Sequence, residues 1–344
     1  MLKTTAIACG VAALVAGTPL SVSASDVAPA ALIIAQGGLG DGSWNDTANA
    51  GFQAGLKNTG IEGRPIESKD VAAQGEEIMR RAADGGFGLV ISLEWIHGEP
   101  MEKLAVDYPD ANWVIMNQTR KGDNVASVVF GEHEGSYLAG ALAAQVTTDE
   151  SIKGINGKPV IGVIGGVKAP GIDKFIVGYI QGAKAINPDI EVKVAYSDSF
   201  GDPAKGQQMA KAMFDEGADI VYQVAGGTGI GIIEAAKAAG TYAIGVDTDQ
   251  DGMAPGNVLT SMIKRVDVAV EDIVNNYAEG KFPGGEVMDF GLAQNGVALS
   301  DMKHTKDMIP AAYLEKVDAL KADIIDGKIE VWDVSTQGYP DFFQ

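Results

Sequence analysis

Short apolar runs alternate with longer amphipathic stretches from residue 31 onward. The runs are rich in β-branched residues and have the length of strands, whereas the stretches repeat their apolar positions with helical spacing. In the first part of the chain this pattern predicts strands at 31–35, 62–67, 88–93, 113–116 and 127–130, and helices at 45–58 and 72–85. Such alternation is typical of βαβ units, in which helices cover both faces of a parallel sheet.

The same rhythm begins again near residue 160. It predicts strands at 160–164, 190–196, 219–224 and 242–246, and helices at 172–186, 203–216 and 230–239. Later segments are short, with strands at 257–261, 286–292 and 297–299 and helices at 266–279 and 312–325. They are too short for a third domain and fit a chain that crosses between two lobes more than once. The expected fold is therefore α/β, with two doubly wound lobes.

The polar segment 147–158 is the predicted junction between these lobes. We expect an N-terminal lobe at 25–146, to which part of 260–300 returns, and a C-terminal lobe with the hinge crossovers at 147–344. In open α/β sheets, ligands bind beyond the carboxyl ends of the strands. Two facing lobes would therefore form one cleft lined by strand ends.

The first 24 residues have the pattern of a secretory signal peptide. Lys3 precedes an apolar stretch at 6–16 that is too short to span a bilayer, and small residues before Ala24 supply a cleavage site. The one cysteine, Cys9, comes too early in this stretch to be a lipoprotein cysteine. We expect a mature protein that is exported to the periplasm, is not inserted in the membrane, and contains no thiol or disulfide.

The charge balance excludes two classes of partner. The 344 residues include 26 Lys and Arg against 46 Asp and Glu, which gives a formal net charge of -20. Non-specific binding to nucleic acid and to anionic lipid both need a basic surface. We therefore expect neither nucleic acid nor a membrane surface as a partner.

The loop after the first strand contains four glycines between residues 37 and 42 and leads into a predicted helix. Trp44 offers a flat ring for stacking, Asn45 can donate and accept hydrogen bonds, and Asp41 can accept from hydroxyl groups. This combination suits a neutral ligand that carries a ring and hydroxyls. The alternative is a turn with a capping acid and a buried tryptophan.

Other predicted strand ends carry further candidates, which are Trp95, Glu132, the Gly226–Gly227 turn, Asp247 and, close to it, Lys264. Packing is the alternative for Trp95, and small residues at 135–144 predict close helix packing. The glycines at 226–231 lack the spacing of a dinucleotide fingerprint. His97, His133 and His304 do not have metal-ligand spacing, and no nucleophile elbow is present. No catalytic residue, metal or cofactor is therefore predicted.

Five segments, taken in order, are similar to the basic membrane protein family, which includes purine nucleoside receptors of ABC importers. They are D-G-S-W-N at 41–45, G-S-Y-L-A-G at 135–140, A-G-G-T-G at 225–229, G-V-D-T-D-Q at 245–250 and T-S-M-I-K at 260–264. The resemblance covers about 30–299. It implies a type I periplasmic-binding fold, in which three crossovers join two lobes that close on a nucleoside.

The resemblance also implies roles for the site residues. Trp44 would stack on the base, Asn45 would bind nearby, and Asp41 would contact the ligand. Asp247 would accept the ribose hydroxyls, supported by Lys264, and the Gly226–Gly227 turn would lie against the ligand. Trp44 stands where the family usually has phenylalanine, and Glu94, Trp95 and Asn117 are also unusual at their strand ends.

The expected function is that of a periplasmic solute-binding protein that delivers a nucleoside, with a purine base as the first expectation, to ABC permease subunits without performing chemistry. Three alternatives remain open at this point. One is a sugar-binding protein of the same fold, and another is a receptor that presents its liganded form to a signalling partner. The third is an exported enzyme that hydrolyses nucleosides or uses NAD.

Overall fold

The computed structural model describes residues 27–343, and the predicted signal peptide lies outside the described residues. A six-stranded parallel sheet forms the first lobe, with the strand order β11-β5-β4-β3-β1-β2. Its strands are β1 (Ala30–Ile33), β2 (Gly63–Ile66), β3 (Leu89–Ser92), β4 (Asn112–Met116), β5 (Val125–Phe130) and the much later β11 (Val287–Phe290). Helices α1 (Trp44–Thr59), α2 (Gly75–Asp84) and α3 (Gly98–Asp107) connect these strands. The central strands β1 and β3 are buried along their whole length, as their apolar runs require.

The second lobe repeats this architecture. Its sheet has the order β12-β10-β9-β8-β6-β7, in which only β12 runs antiparallel to its neighbour among the described strands. The strands are β6 (Val160–Gly165), β7 (Glu191–Tyr196), β8 (Ile220–Val224), β9 (Tyr242–Asp247), β10 (Val258–Lys264) and β12 (Val297–Leu299). Its helices include α5 (Pro170–Ile186), α6 (Pro203–Asp215) and α7 (Thr228–Ala239).

The chain crosses between the lobes at three places. Helix α4 (Glu132–Val146) follows β5 but packs on α5, where a Cβ added to Gly140 would lie 2.0 Å from the carbonyl oxygen of Tyr179. Helix α8 (Val266–Ala278) follows β10 but packs on α1 of the first lobe. The chain then returns once more between β11 and β12. The first crossing therefore lies at Gly131, before α4, and not in the predicted junction at 147–158.

The two terminal helices belong to the second lobe. Helix α9 (Ala311–Ile325) packs on α4, and the short α10 (Val334–Gln337) packs on α5. Within residues 27–343, no helix combines the length and the apolar character that a bilayer crossing requires.

The predicted fold class is confirmed, and each predicted strand corresponds to a strand of the structure. Helix α3 was not predicted, because Gly98 and Pro100 at its start are typical helix breakers. Proline is tolerated in a first helical turn, where its missing N–H has no intrahelical partner to lose. Met101, Leu104 and Ala105 then form a buried face with helical spacing.

Candidate functional site

A cavity of about 260 Å³ lies between the lobes, at the carboxyl ends of strands from both sheets. Most of the predicted site residues line it, namely Asp41, Trp44, Asn45, Trp95, Gly226, Asp247 and Lys264. Glu132 and Gly227 do not line it, although both were predicted to be ligand-binding residues. The strand-end pattern thus brings together residues that are more than 200 positions apart in the sequence.

Asp41 holds the first turn of α1. Its Oδ1 accepts from the backbone N–H groups of Ser43 (2.9 Å) and Asp46 (3.1 Å), and its Oδ2 accepts from that of Asn45 (2.9 Å). Burial raises the pKa of Asp41, although these three N–H groups act in the opposite direction. Both oxygens are already used, so that Asp41 serves as a helix cap at the cavity wall.

Asn45 fixes the position of its neighbour Trp44. The Asn45 side chain accepts from the N–H of Ala35 (2.9 Å) and donates to the carbonyl of Gln36 (3.3 Å), which ties α1 to the end of β1. Trp44 is the first residue of α1 and is therefore held at the cavity wall by contacts on both sides.

Lys264 is a buried cation in this wall, with 1% of its surface exposed. Its Nζ lies 2.8 Å from Asn117 Oδ1, 2.7 Å from Glu132 Oε1 and 4.1 Å from the centroid of the Trp44 ring. Burial lowers the pKa of Lys264, and the nearby carboxylates Glu132 and Asp247 oppose this effect. The direct ion-pair partner of Lys264 is thus Glu132, whereas the sequence suggested Asp247.

Glu132 lies behind the cavity wall and joins two lysines. Its carboxylate is 2.7 Å from Lys264 Nζ and 2.8 Å from Lys174 Nζ, and 1% of its side chain is exposed. Burial alone would raise the pKa of Glu132, but the two ammonium groups lower it to about 2. Glu132 therefore stays ionised and positions Lys264.

Asp247 forms a contact across the cleft. Ser43 Oγ of the first lobe donates to Asp247 Oδ2 at 2.5 Å. Burial raises the pKa of Asp247 to about 6, against the lowering effects of Lys264 and the Ser43 hydrogen bond. A second link joins Gln250 Nε2 to the carbonyl of Gly42 at 2.9 Å. The two lobes are therefore in their closed arrangement.

Two strand ends on opposite sides of the cleft share an uncommon backbone conformation. Asn117 follows β4 with φ 63°, and Asp247 ends β9 with φ 67°. The strands β4 and β9 hold the same place in the strand orders of their sheets. Non-glycine residues with positive φ are concentrated where the surroundings hold them, often at binding sites. From these positions both residues line the cavity.

The glycine turn lies at the seam between the lobes. Gly226 lines the cavity and has φ 53°. A Cβ added to Gly227 would be 3.1 Å from the carbonyl oxygen of Phe200 and 3.7 Å from Cα of Asp41. A Cβ at Gly227 would therefore crowd Phe200 of the same lobe, whereas its distance from Asp41 of the facing lobe is an ordinary van der Waals contact.

Several cavity residues were not among the predicted site residues, including two aromatic and two polar ones. Phe175 on α5 and Phe200 after β7 add aromatic surface from the second lobe, and Gln36 and Glu94 add polar groups from the first. The strand-end rule could have found Gln36, Glu94 and Phe200. Phe175 lies within a helix, where its apolar spacing indicates only core packing. Trp95 lies at the cavity edge with 43% of its surface exposed.

Comparison with known proteins assigns the chain to a family. Residues 28–335 match the family described as ABC transporter substrate-binding protein PnrA-like. The ABC transporter nucleoside-binding protein BmpA of Lactococcus lactis is 34% identical over 323 residues, which cover 88% of each chain. A CD4+ T-cell-stimulating antigen of Listeria monocytogenes is 33% identical over 88% of this chain and 87% of its own.

Solved structures show the same architecture. An ABC transporter solute-binding protein from Aeropyrum pernix superimposes with a TM-score of 0.83 at 27% identity, over 89% of this chain and 93% of that chain. Proteins of this family bind a small-molecule substrate outside the cytoplasm, act with permease subunits and are not enzymes. The chain therefore belongs to the family of PnrA-like ABC transporter substrate-binding proteins.

Proposed function

We propose that the protein binds one nucleoside in the interlobe cavity and delivers it from the periplasm to the permease of an ABC importer. The observation that carries the proposal is the pairing of aromatic walls from both lobes, Trp44 and Phe200, with the buried carboxylate of Asp247. A base can stack on an aromatic ring, and a carboxylate accepts hydrogen bonds from ribose hydroxyls. The name of the 34% identical Lactococcus lactis relative supports the same ligand class.

The charge of the cavity favours an uncharged ligand over a nucleotide. The described charged side chains that line it are the carboxylates Asp41, Glu94 and Asp247 and one ammonium group, Lys264, which is already paired with Glu132. An adjoining groove of about 620 Å³ adds further acids, Glu67, Asp70 and Asp198, with Lys69. A phosphate would be repelled at both places.

The dimensions of the cavity favour a compact ligand. Its volume of about 260 Å³ lies just below the range of roughly 300–1,000 Å³ for sites of drug-sized molecules. Contacts from both lobes enclose it, so ligand would favour the closed population that a permease can recognise.

Thermal unfolding of the mature, refolded and ligand-stripped protein tests the proposal. The panel is adenosine, guanosine, inosine, uridine, free bases, ribose, glucose, arabinose and NAD. A ligand at about a thousand times its Kd stabilises by roughly 4 kcal/mol, which raises Tm by several degrees. We expect this shift with nucleosides alone, and a shift with only a sugar or NAD would contradict the proposal.

A pair of tryptophan variants shows where the ligand binds. Trp44→Ala should abolish most of the ligand-induced shift, because it removes one wall of the cavity. Trp332→Ala is the matched control, since Trp332 lies in the C-terminal segment and hydrogen-bonds to the carbonyl of Gly338. It should keep the full shift whatever its own Tm. Recovery of intact nucleoside after incubation would separate binding from hydrolysis, which would release free base.

A further inference from the structure

Glu94 places a carboxylate in the cavity at the end of β3. Glu94 is 4% exposed and lines the cavity beside Gln36. Glu94 Oε2 accepts from the backbone N–H of Gln36 at 3.1 Å, whereas Gln36 Nε2 lies 3.4 and 3.5 Å from the two oxygens. Oε1 therefore has only the longest of these contacts.

Two other acids of the site are more fully engaged. Asp41 accepts from three backbone N–H groups, and Glu132 is paired with two lysines. Asp247 accepts from Ser43 and is the group proposed for the ribose hydroxyls. No described lysine or arginine lies within ion-pair distance of Glu94 in residues 27–343. A carboxylate offers about four acceptor positions on two oxygens. Glu94 thus keeps acceptor capacity that a bound ligand can use.

We propose that Glu94 reads the base, by accepting two adjacent N–H donors of a guanine-type edge with its two oxygens; this rests on the proposed nucleoside function. Guanine presents N1–H beside its exocyclic N2 amino group, and a carboxylate accepts such a parallel pair with good geometry. Hypoxanthine has only the N1–H. Adenine presents an amino donor beside the N1 acceptor, and that lone pair would face a carboxylate oxygen. The order of affinity is therefore guanosine, then inosine, then adenosine.

Glu94→Gln is the substitution that tests this reading. It keeps the length of the side chain and an oxygen for the Gln36 N–H, but it replaces one acceptor by an amide donor. A donor beside an acceptor complements adenine and not guanine. Titration calorimetry should show the Kd for guanosine rising roughly 10- to 100-fold, which corresponds to the loss of one hydrogen bond to a charged group. The Kd for adenosine should fall.

Glu67→Gln is the matched control. Glu67 also accepts from a backbone N–H of the first loop, that of Leu39 at 3.2 Å, but it lies in the adjoining groove and outside the cavity lining. This variant should leave the order of the three nucleosides unchanged. Far-ultraviolet circular dichroism and the ligand-free Tm establish that both variants are folded.

The possible results separate the two proposals. If the wild-type protein binds adenosine as tightly as guanosine, or if Glu94→Gln weakens all nucleosides equally, Glu94 does not read the base although the nucleoside function stands. If the wild-type protein binds no nucleoside, both proposals fail. The wild-type ranking is decisive even if Glu94→Gln does not fold.

Discussion

The carboxyl group of Asp247 has a pKa of about 6 because it is buried, so its charge changes close to neutral pH. A ligand hydroxyl that donates to this group favours the ionised form, and protons therefore compete with the ligand. We therefore expect the nucleoside affinity to be constant above about pH 7 and to fall below about pH 6, by up to about tenfold per pH unit. Titration calorimetry between pH 5 and 8 measures this dependence.

Two asparagine variants identify the group responsible. Asp247→Asn should bind more weakly and lose the acid dependence, because the amide does not titrate. Asp219 also has a pKa raised to about 6 by burial, but it hydrogen-bonds Thr147 and the N–H of Asn156 and is not a cavity residue. Asp219→Asn should therefore keep the acid dependence of binding. Constant wild-type affinity from pH 5 to 7 would contradict a direct contact between Asp247 and the ligand.

Sequence patterns predicted which residues gather at the cavity better than they predicted what each side chain contacts. Strand ends indicated Trp44 and Asp247 because parallel strands end at one edge of a sheet. The orientation of a side chain depends on partners that are distant in sequence. Glu132 turns toward two lysines on other elements, and Asp41 accepts hydrogen bonds from the start of the helix that follows it. Neither contact leaves a periodic signal in the chain.

At the scale of elements, the packing of α4 on α5 depends on glycines in both helices. A Cβ added to Gly182 would lie 1.9 Å from the carbonyl oxygen of Tyr137, and one added to Gly178 would lie 2.2 Å from that of His133. The small-residue face of α4 was predicted, but its partner was not. A face of small residues indicates that a helix packs closely without showing which lobe it packs on, and for this reason the first crossover was placed too late.

Gly182→Ala should destabilise the protein through this interface. Alanine alone would stabilise a helix by roughly 0.5–1 kcal/mol over glycine, but the added methyl group must push α4 and α5 apart, at a cost of about 1–3 kcal/mol. We expect a net fall in the free energy of unfolding, measured by urea denaturation. Gly252→Ala is the control, because nothing lies within 4 Å of its added Cβ. Equal stability of the two variants would contradict the packing account.

For the whole molecule, the ion pair between Glu132 and Lys264 joins two of the three crossovers. Glu132 begins α4 directly after the first crossover, and Lys264 ends β10 directly before the second. Lys264 also contacts Asn117 of the first lobe and the ring of Trp44. Lys264 therefore connects the hinge to the cavity wall, so that movement of the lobes also moves the wall around the ligand.

The measurement that tests this account most directly is calorimetric titration of the refolded mature protein with guanosine and, separately, with its 5′-monophosphate. The two ligands differ only by the phosphate that the acidic cavity and groove would repel. We predict saturable binding of one guanosine per chain and at least about a hundredfold weaker binding of the monophosphate, since one unfavourable charge contact costs several kcal/mol at low dielectric. Absence of guanosine binding, or equal affinity for the two ligands, would contradict it.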